Sequence, residues 1–497
     1  MATKLFFDTL PSTVKSTDVN FEQSVETEIL LADYDAPVFK IVKTTMEHLI
    51  TQKYIMQTKL TVEGFIKINV CYQSSENHKL HSVSQTIPFQ KQFEVAEFDA
   101  NYIDVQGSCQ YVNTRPQNPT RIDVRGAYMF NVRVYSAQNT KVITAVDSDS
   151  VCCDSTQLDC FAMAVQNMRQ FTVEQPLQMP ENMHKILRVS LNTPVPAITV
   201  YTDKISVKGE IVADVFYTVA EGDDVHTHNQ SFAYNHIVDM AGIKENNIPF
   251  TAVTVSSFGV SQNSEDKKLT AVMTVQIDGT AFAKQQIIAV SDSFSRRYEY
   301  EKQSVQQLVD TNIYSVNKNL TVQFGDVANR DSRICDVQFE ISPPKSYYEI
   351  NKTTVKSKIF THIIVLNSQE EYECVTKTED IVFDWLEKCG RYDEICVDLS
   401  VTGYSYTDRG VTVNLSAKGF VIQKQPIQLL SGFEENCEKP LQNISESLVI
   451  YYAEKGDKVF DIAKSHNVSP QIIMEENQME NQWIDEERML FIPAFEQ

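Results

Sequence analysis

A fourteen-residue segment recurs three times in this chain at almost constant spacing, and no other feature limits the fold as tightly. The copies are KLTVEGFIKINVCY from Lys59 to Tyr72, KISVKGEIVADVFY from Lys204 to Tyr217, and the weaker KTTVKSKIFTHIIV from Lys352 to Val365, starting 145 and then 148 residues apart. Apolar residues alternate within each copy, as in Leu60, Val62, Ile66, Ile68, Val70 and Tyr72, or Ile205, Val207, Ile211, Ala213, Val215 and Tyr217. Period two predicts a half-buried strand. The polar residues between them, Lys59, Thr61, Glu63, Lys67 and Asn69, suit an antiparallel sheet covered on one side. Gly64 and Gly209 occupy matching points, where the missing Cβ predicts a bulge or a kink in the strand.

Two further landmarks keep the same period. Ile87-Pro88-Phe89, Phe232-Ala233-Tyr234 and Ile381-Val382-Phe383 follow the strand ends by 17, 17 and 18 residues and read as aromatic packing anchors. Each unit then closes on another alternating strand: Ile122, Val124, Tyr128, Phe130, Val132; then Leu269, Ala271, Met273, Val275, Ile277; then Val411, Val413, Leu415, Ala417, Val421. Strands of this kind need a second layer to bury their apolar faces, so a mainly β chain of tandem sandwich-like repeats is predicted. The expected division is an N-terminal segment 1–35, repeat one 36–150, repeat two 176–292, repeat three 326–430, a linker 431–446 and a terminal module 447–497. Residues 151–175 and 293–325, rich in Gln, Arg and Met, read as helical linkers between the repeats.

The K-x-[TS]-V-[EK]-G strand, its terminal Tyr and the downstream aromatic anchor resemble the SPOCS domain of bacterial spore coat assembly proteins. The third copy departs from the pattern, with Ser357 in place of the glycine and Val365 in place of the tyrosine.

From Tyr451 to Pro493 the grammar changes. Val459, Ile462 and Ala463 fall at i, i+3 and i+4 behind Asp457, which reads as an N-cap. Ser469-Pro470 opens a second helix carrying Ile472 and Ile473. With flanking strands at Tyr451 to Ala453 and Leu490 to Pro493, this is a small βααβ module, and it resembles a LysM domain. The resemblance implies ligand contact through two loops, Glu454, Lys455, Gly456, Asp457, Lys458 and then Met479, Glu480, Asn481, Gln482, Trp483, with Asn477 beside them. LysM modules commonly bind peptidoglycan and other N-acetylglucosamine polymers. Residues 447–497, however, carry ten acidic against four basic side chains, and Glu487 stands where the family usually has glycine. That surface suits a basic protein patch better than a neutral sugar.

Content and order together, SPOCS-type repeats and then one LysM, resemble SipL-type spore coat morphogenetic proteins. The resemblance implies a non-enzymatic scaffold in the mother-cell cytoplasm, acting at the forespore surface. Its LysM would dock onto the coat's basement-layer ATPase, with other coat proteins as further partners and peptidoglycan as the alternative ligand. No cofactor is implied.

Charge and motifs narrow the other classes. With 66 acidic and 44 basic residues the net charge is −22, which disfavours nucleic acid and anionic membrane surfaces. No apolar run is long enough to span a bilayer, and the brief Leu5-Phe6-Phe7 patch is too short for a secretory signal, so an intracellular chain with ten reduced cysteines is expected. Phosphate-binding glycine loops and a nucleophile elbow are missing. His226-x-His228 with Asp223, Asp224 and His236 is the best candidate for a metal site, because i and i+2 share a strand face, ahead of Cys152-Cys153 with Cys160, which lacks zinc-site spacing. Its Gly222-Asp223-Asp224 composition is that of an ordinary hairpin loop, so solvated histidines and no bound metal are expected.

Overall fold

The computed structural model describes residues 4–96, 101–180, 183–219, 225–262, 268–325, 332–349, 352–386, 390–407, 410–441 and 448–493. The first unit has six strands, β1 (Lys4–Leu30), β2 (Val38–Met56), β3 (Lys59–Ser74), β4 (Leu80–Glu94), β5 (Asn101–Asn118) and β6 (Arg121–Asp147). They make two antiparallel sheets, ordered β1-β6-β5 and β2-β3-β4. The alternation read from the sequence is what joins them. Leu60, Val62, Ile66 and Ile68 of β3 meet Ile122, Val124, Phe130 and Val132 of β6 in a single buried core, so the unit is a β-sandwich.

The second unit repeats this plan with β7 (Val151–Leu177), β8 (Met183–Asn192), β9 (Ala197–Tyr201), β10 (Lys204–Val219), β11 (Val225–Asp239), β12 (Ile248–Gln262) and β13 (Leu269–Ser295). The third does so with β14 (Tyr298–Gly325), β15 (Arg333–Ile341), β16 (Lys345–Glu349), β17 (Lys352–Leu366), β18 (Tyr372–Leu386), β19 (Glu394–Thr407) and β20 (Gly410–Pro440). Their sheets are β7-β13-β12 with β8/β9-β10-β11, and β14-β20-β19 with β15/β16-β17-β18. Each has its own core. The first strands of the second and third units begin at Val151 and Tyr298, 147 residues apart, in keeping with the period of the sequence motif.

The two helical linkers are not helices. Residues 151–175 lie in β7, while 293–325 finish β13 and form β14. Cys160, Phe161, Ala162 and Met163 are four consecutive buried residues, because β7 is covered on both faces there. Two-sided burial erases the alternation that marks a strand. The N-terminal segment is likewise part of the first unit: β1 pairs with β6 along its whole length and places Val25 and Ile29 in the core.

The kink expected at the repeat glycine sits on the neighbouring strand instead. Opposite Gly64 the register of β2 shifts between Ile50 and Gln52. Opposite Gly209 and Ser357 the edge strand breaks altogether, at 193–196 and 342–344, where Pro194, Pro196, Pro343 and Pro344 lie. Proline has no N–H for the ladder, so it belongs at such edges. A Cβ on Gly64 would lie 2.1 Å from the Leu49 carbonyl oxygen, and one on Gly209 would lie 2.6 Å from Tyr234 Oη. Cross-strand register pairs Gly64 with Phe89, Gly209 with Tyr234 and Ser357 with Ile381. In the first two units the glycine and the aromatic anchor are therefore two halves of one pair, whereas in the third, with serine at the glycine's place, the partner is Ile381.

The outer strands of 27 to 31 residues are too long for one sandwich and serve a second core. Their far halves converge on a common axis, where Val142, Ala289 and Leu429 form one layer with Leu10, Leu158 and Val309, and Ile143, Val290 and Leu430 form the next. Phe420 is the hub. Its ring lies 5.7 Å from both Tyr102 and Tyr135 of the first unit, and 5.0 and 5.7 Å from Phe250 and Phe282 of the second. A third shared layer comes from bulges at one equivalent point per unit, which turn Val42, Leu187 and Cys335 towards one another.

Buried polar contacts close every junction. Lys53 pairs with Asp278 between units one and two, and Arg188 with Asp336 at 2.8 Å between two and three. Between three and one, Asp310 accepts the Thr13 N–H at 2.6 Å and faces Lys424 at 3.6 Å. Burial lifts the Asp310 carboxyl to about 6 despite that cation and that N–H. Glu435 of the third unit accepts the hydroxyls of Ser148, Ser150 and Ser295 at 2.5 to 2.9 Å, knitting all three together.

Candidate functional site

The terminal module is β21 (Leu448–Ala453), α1 (Val459–His466), α2 (Pro470–Glu476) and β22 (Arg488–Pro493). Its core holds Ala453, Val459, Phe460, Ile462, Ala463, Val468, Ile473, Ile484, Leu490 and Ile492. Ser469 and Pro470 open α2 as expected, but Lys458, and not Asp457, is the N-cap of α1. The Asp457 carboxylate turns back instead and accepts the Glu454 N–H at 3.0 Å. Gly456, with φ +96°, supplies the left-handed turn this loop needs.

The two predicted loops do come together. Gly456 N–H donates to the Ile484 carbonyl at 2.8 Å, Ile484 N–H to Asp457 at 2.9 Å and Val459 N–H to Gln482 at 2.9 Å. Glu454, Lys455, Glu480, Asn481, Gln482 and Trp483 are exposed. Other candidates serve the module itself. The buried Asn477 donates to the Ile473 and Phe491 carbonyls at 2.8 and 2.7 Å and accepts Phe491 N–H at 2.7 Å, so its amide braces α2 against β22. Met479 packs against the core. Lys458 lies with its ammonium 5.3 Å from the Trp483 ring centre and is paired with Asp154 of β7.

That last contact belongs to a seat which the sequence did not disclose. Phe294, at the end of β13, is fully buried in the module's core with its ring 5.3 Å from Phe460, and Cys152 and Tyr300 line the same contact. Lys464 and Lys302 both grip Asp292. Burial acts to raise the Asp292 carboxyl, but hydrogen bonds from the two lysines outweigh it and hold it below its ordinary range. The module is thus fixed on the tip of the three-unit body by an apolar centre and two ionic clamps. Phe460 and Lys464 could have been found only by noticing that α1 has apolar and basic residues beyond its own core stripe.

The histidine stretch is divided along β11. His226 stacks on Tyr217 at 5.7 Å, whereas His236 stacks on Phe171 at 3.9 Å. Ten residues of strand, roughly 33 Å, separate them. Asp223 and Asp224 lie outside the described residues. Among the described residues no three His, Cys, Asp or Glu side chains gather as a metal site, and no helix is long and apolar enough to cross a membrane.

Residues 37–116 and 182–262 match the family model described as SipL, SPOCS domain. The matches run from β2 into β5 and from β8 through β12, leaving out the long axial strands β1, β6, β7 and β13. No curated protein and no solved structure matches the chain. Two of the three units thus carry a match to the SPOCS domain, a domain that points to a spore-related protein.

Proposed function

We propose that this protein is a non-enzymatic spore coat morphogenetic scaffold, whose C-terminal module is a LysM-like domain that docks onto the coat's basement-layer ATPase at the forespore surface. The observation that carries the reading is the junction of a SPOCS-bearing body to an acidic βααβ module seated on it through a shared apolar cluster. The third unit shares the strand order of the other two, and we assign it as a third SPOCS copy that closes the body. A closed body gives the scaffold a fixed shape and leaves the outer faces of three sandwiches for other coat proteins. Fixing the module to that body presents it in one orientation, which lowers the entropy cost of docking.

Sugar recognition has less support. Lys458 covers the Trp483 ring and is held by Asp154, so part of the aromatic surface a pyranose would stack on is already occupied. The test is a parallel binding measurement of the full chain against the basement-layer ATPase and against purified peptidoglycan sacculi. Saturable binding to the ATPase alone is expected. Binding to sacculi alone would overturn the reading and make the module a wall or cortex reader.

A further inference from the structure

The loops are not the largest exposed feature of the module. β21 and β22 form a two-stranded sheet in which Val449, Tyr451, Ala453, Leu490 and Ile492 face inward. Alternation sends Leu448, Ile450, Tyr452, Met489 and Phe491 to the other face, where all five are between 46% and 74% exposed. Register sets Ile450 directly against Phe491 and Tyr452 against Met489, so these side chains make one contiguous patch. Single exposed apolar residues are common and need no account, but a continuous cluster on so small a sheet marks an interaction surface. The seat on the three-unit body uses α1, Lys458 and Lys464 and leaves this face uncovered.

Charge selects the occupant. The Ala453 and Arg488 end of the sheet leads directly into Glu454 on one strand and Glu487, Glu486 and Asp485 on the other, all exposed. Lys455 and Arg488 are the basic residues there, and the Arg488 guanidinium donates to the Asn477 carbonyl at 3.1 Å. A second copy of this chain is a poor fit, because a two-fold contact would bring the same four carboxylates together on molecules of charge −22 each. We infer that the outer face of the β21–β22 sheet is the module's principal docking surface, taking a partner protein that presents apolar side chains bordered by Lys or Arg. The inference rests on the scaffold reading above and moves the contact from the loops to the sheet.

The experiment uses the full-length chain and the basement-layer ATPase as probe, with two variants. I450T/Y452T/F491T removes the patch while keeping β-forming residues on an exposed face; W483A alters the loop. The expected result is at least tenfold weaker binding for the triple variant and a change below threefold for W483A. Wild-type binding should also weaken as salt rises from about 50 to about 300 mM, because the rim charges are exposed to screening. Circular dichroism and hydrogen exchange of the α1 amides check that the module stays folded and seated. A triple variant that binds like wild type, beside a W483A variant that does not, overturns the sheet assignment and leaves the scaffold reading standing. If the wild-type chain does not bind the ATPase at all, the scaffold reading falls and this inference falls with it.

Discussion

The three-unit body and the terminal module bury their apolar residues by opposite means. The body does it over long range: strands of 27 to 31 residues begin in one sandwich and end in a core shared by three. The module does it locally, with two short helices against two six-residue strands, and then adds a single outside ring, Phe294. The difference teaches that the body is cooperative across all three units, whereas the module is a small fold whose placement depends on a few contacts.

The largest effect should come from Phe420→Ala. The ring is 2% exposed and touches aromatic residues of both other units, so its loss leaves a cavity on the common axis costing about 3–5 kcal/mol. Hydrogen exchange should show protection falling in β6, β13 and β20 together while α1 is unchanged. Loss confined to β20 would mean that the units are independent sandwiches.

Next comes Lys424→Met, which strands the Asp310 carboxylate with only the Thr13 N–H, at a cost of about 3 kcal/mol at pH 7. The sign with pH is fixed by burial. Asp310 already titrates at about 6 in the folded chain, above its unfolded value, so the native state takes up its proton first as pH falls. Its contribution to stability is full below the unfolded pKa and is lost as pH rises through 6. The variant's deficit should therefore shrink between pH 7 and pH 5, as followed by denaturant midpoints. A deficit that grows in acid would show that Asp310 is not what closes the junction.

These contrasts explain what the sequence disclosed. The sandwich halves of the strands were legible because they are covered on one side, as in Leu60 to Ile68. Their axial halves were not, since Cys160 to Met163 are buried on both faces and carry no period. Phe420 lies beside the residues read as core in the third unit, and nothing local distinguishes a hub from a neighbour. In the module the helices and loops were readable from spacing and capping, although the cap moved from Asp457 to Lys458. Its seat was not, because Phe294 and Phe460 are 166 residues apart and a contact at that range leaves no mark in either segment.

Phe294→Ala tests that seat. The module keeps its own core of Val459, Ile462, Leu490 and Ile492, so it should stay folded but loosen from the body. Cys152, half-buried in the contact, reports the opening. Its alkylation rate, read by peptide mass spectrometry, should rise at least tenfold while that of the buried Cys396 does not change. Equal rates at Cys152 in variant and wild type would mean that the ionic clamps at Asp154 and Asp292 hold the module without the phenylalanine.

The smallest effect should be that of Trp483→Ala. Trp483 is 55% exposed, bridges to Lys458 through the backbone and lies beneath that residue's ammonium. A cation–π contact at such an exposed place contributes about 0.5 kcal/mol. Lys458→Met should cost more than Trp483→Ala, because it leaves Asp154, a largely buried carboxylate, without its cation. Thermal melts of the two variants give the order. If Trp483→Ala were the more damaging, the loop would be holding the module on the body, and the ammonium–carboxylate pair would be incidental to the seat.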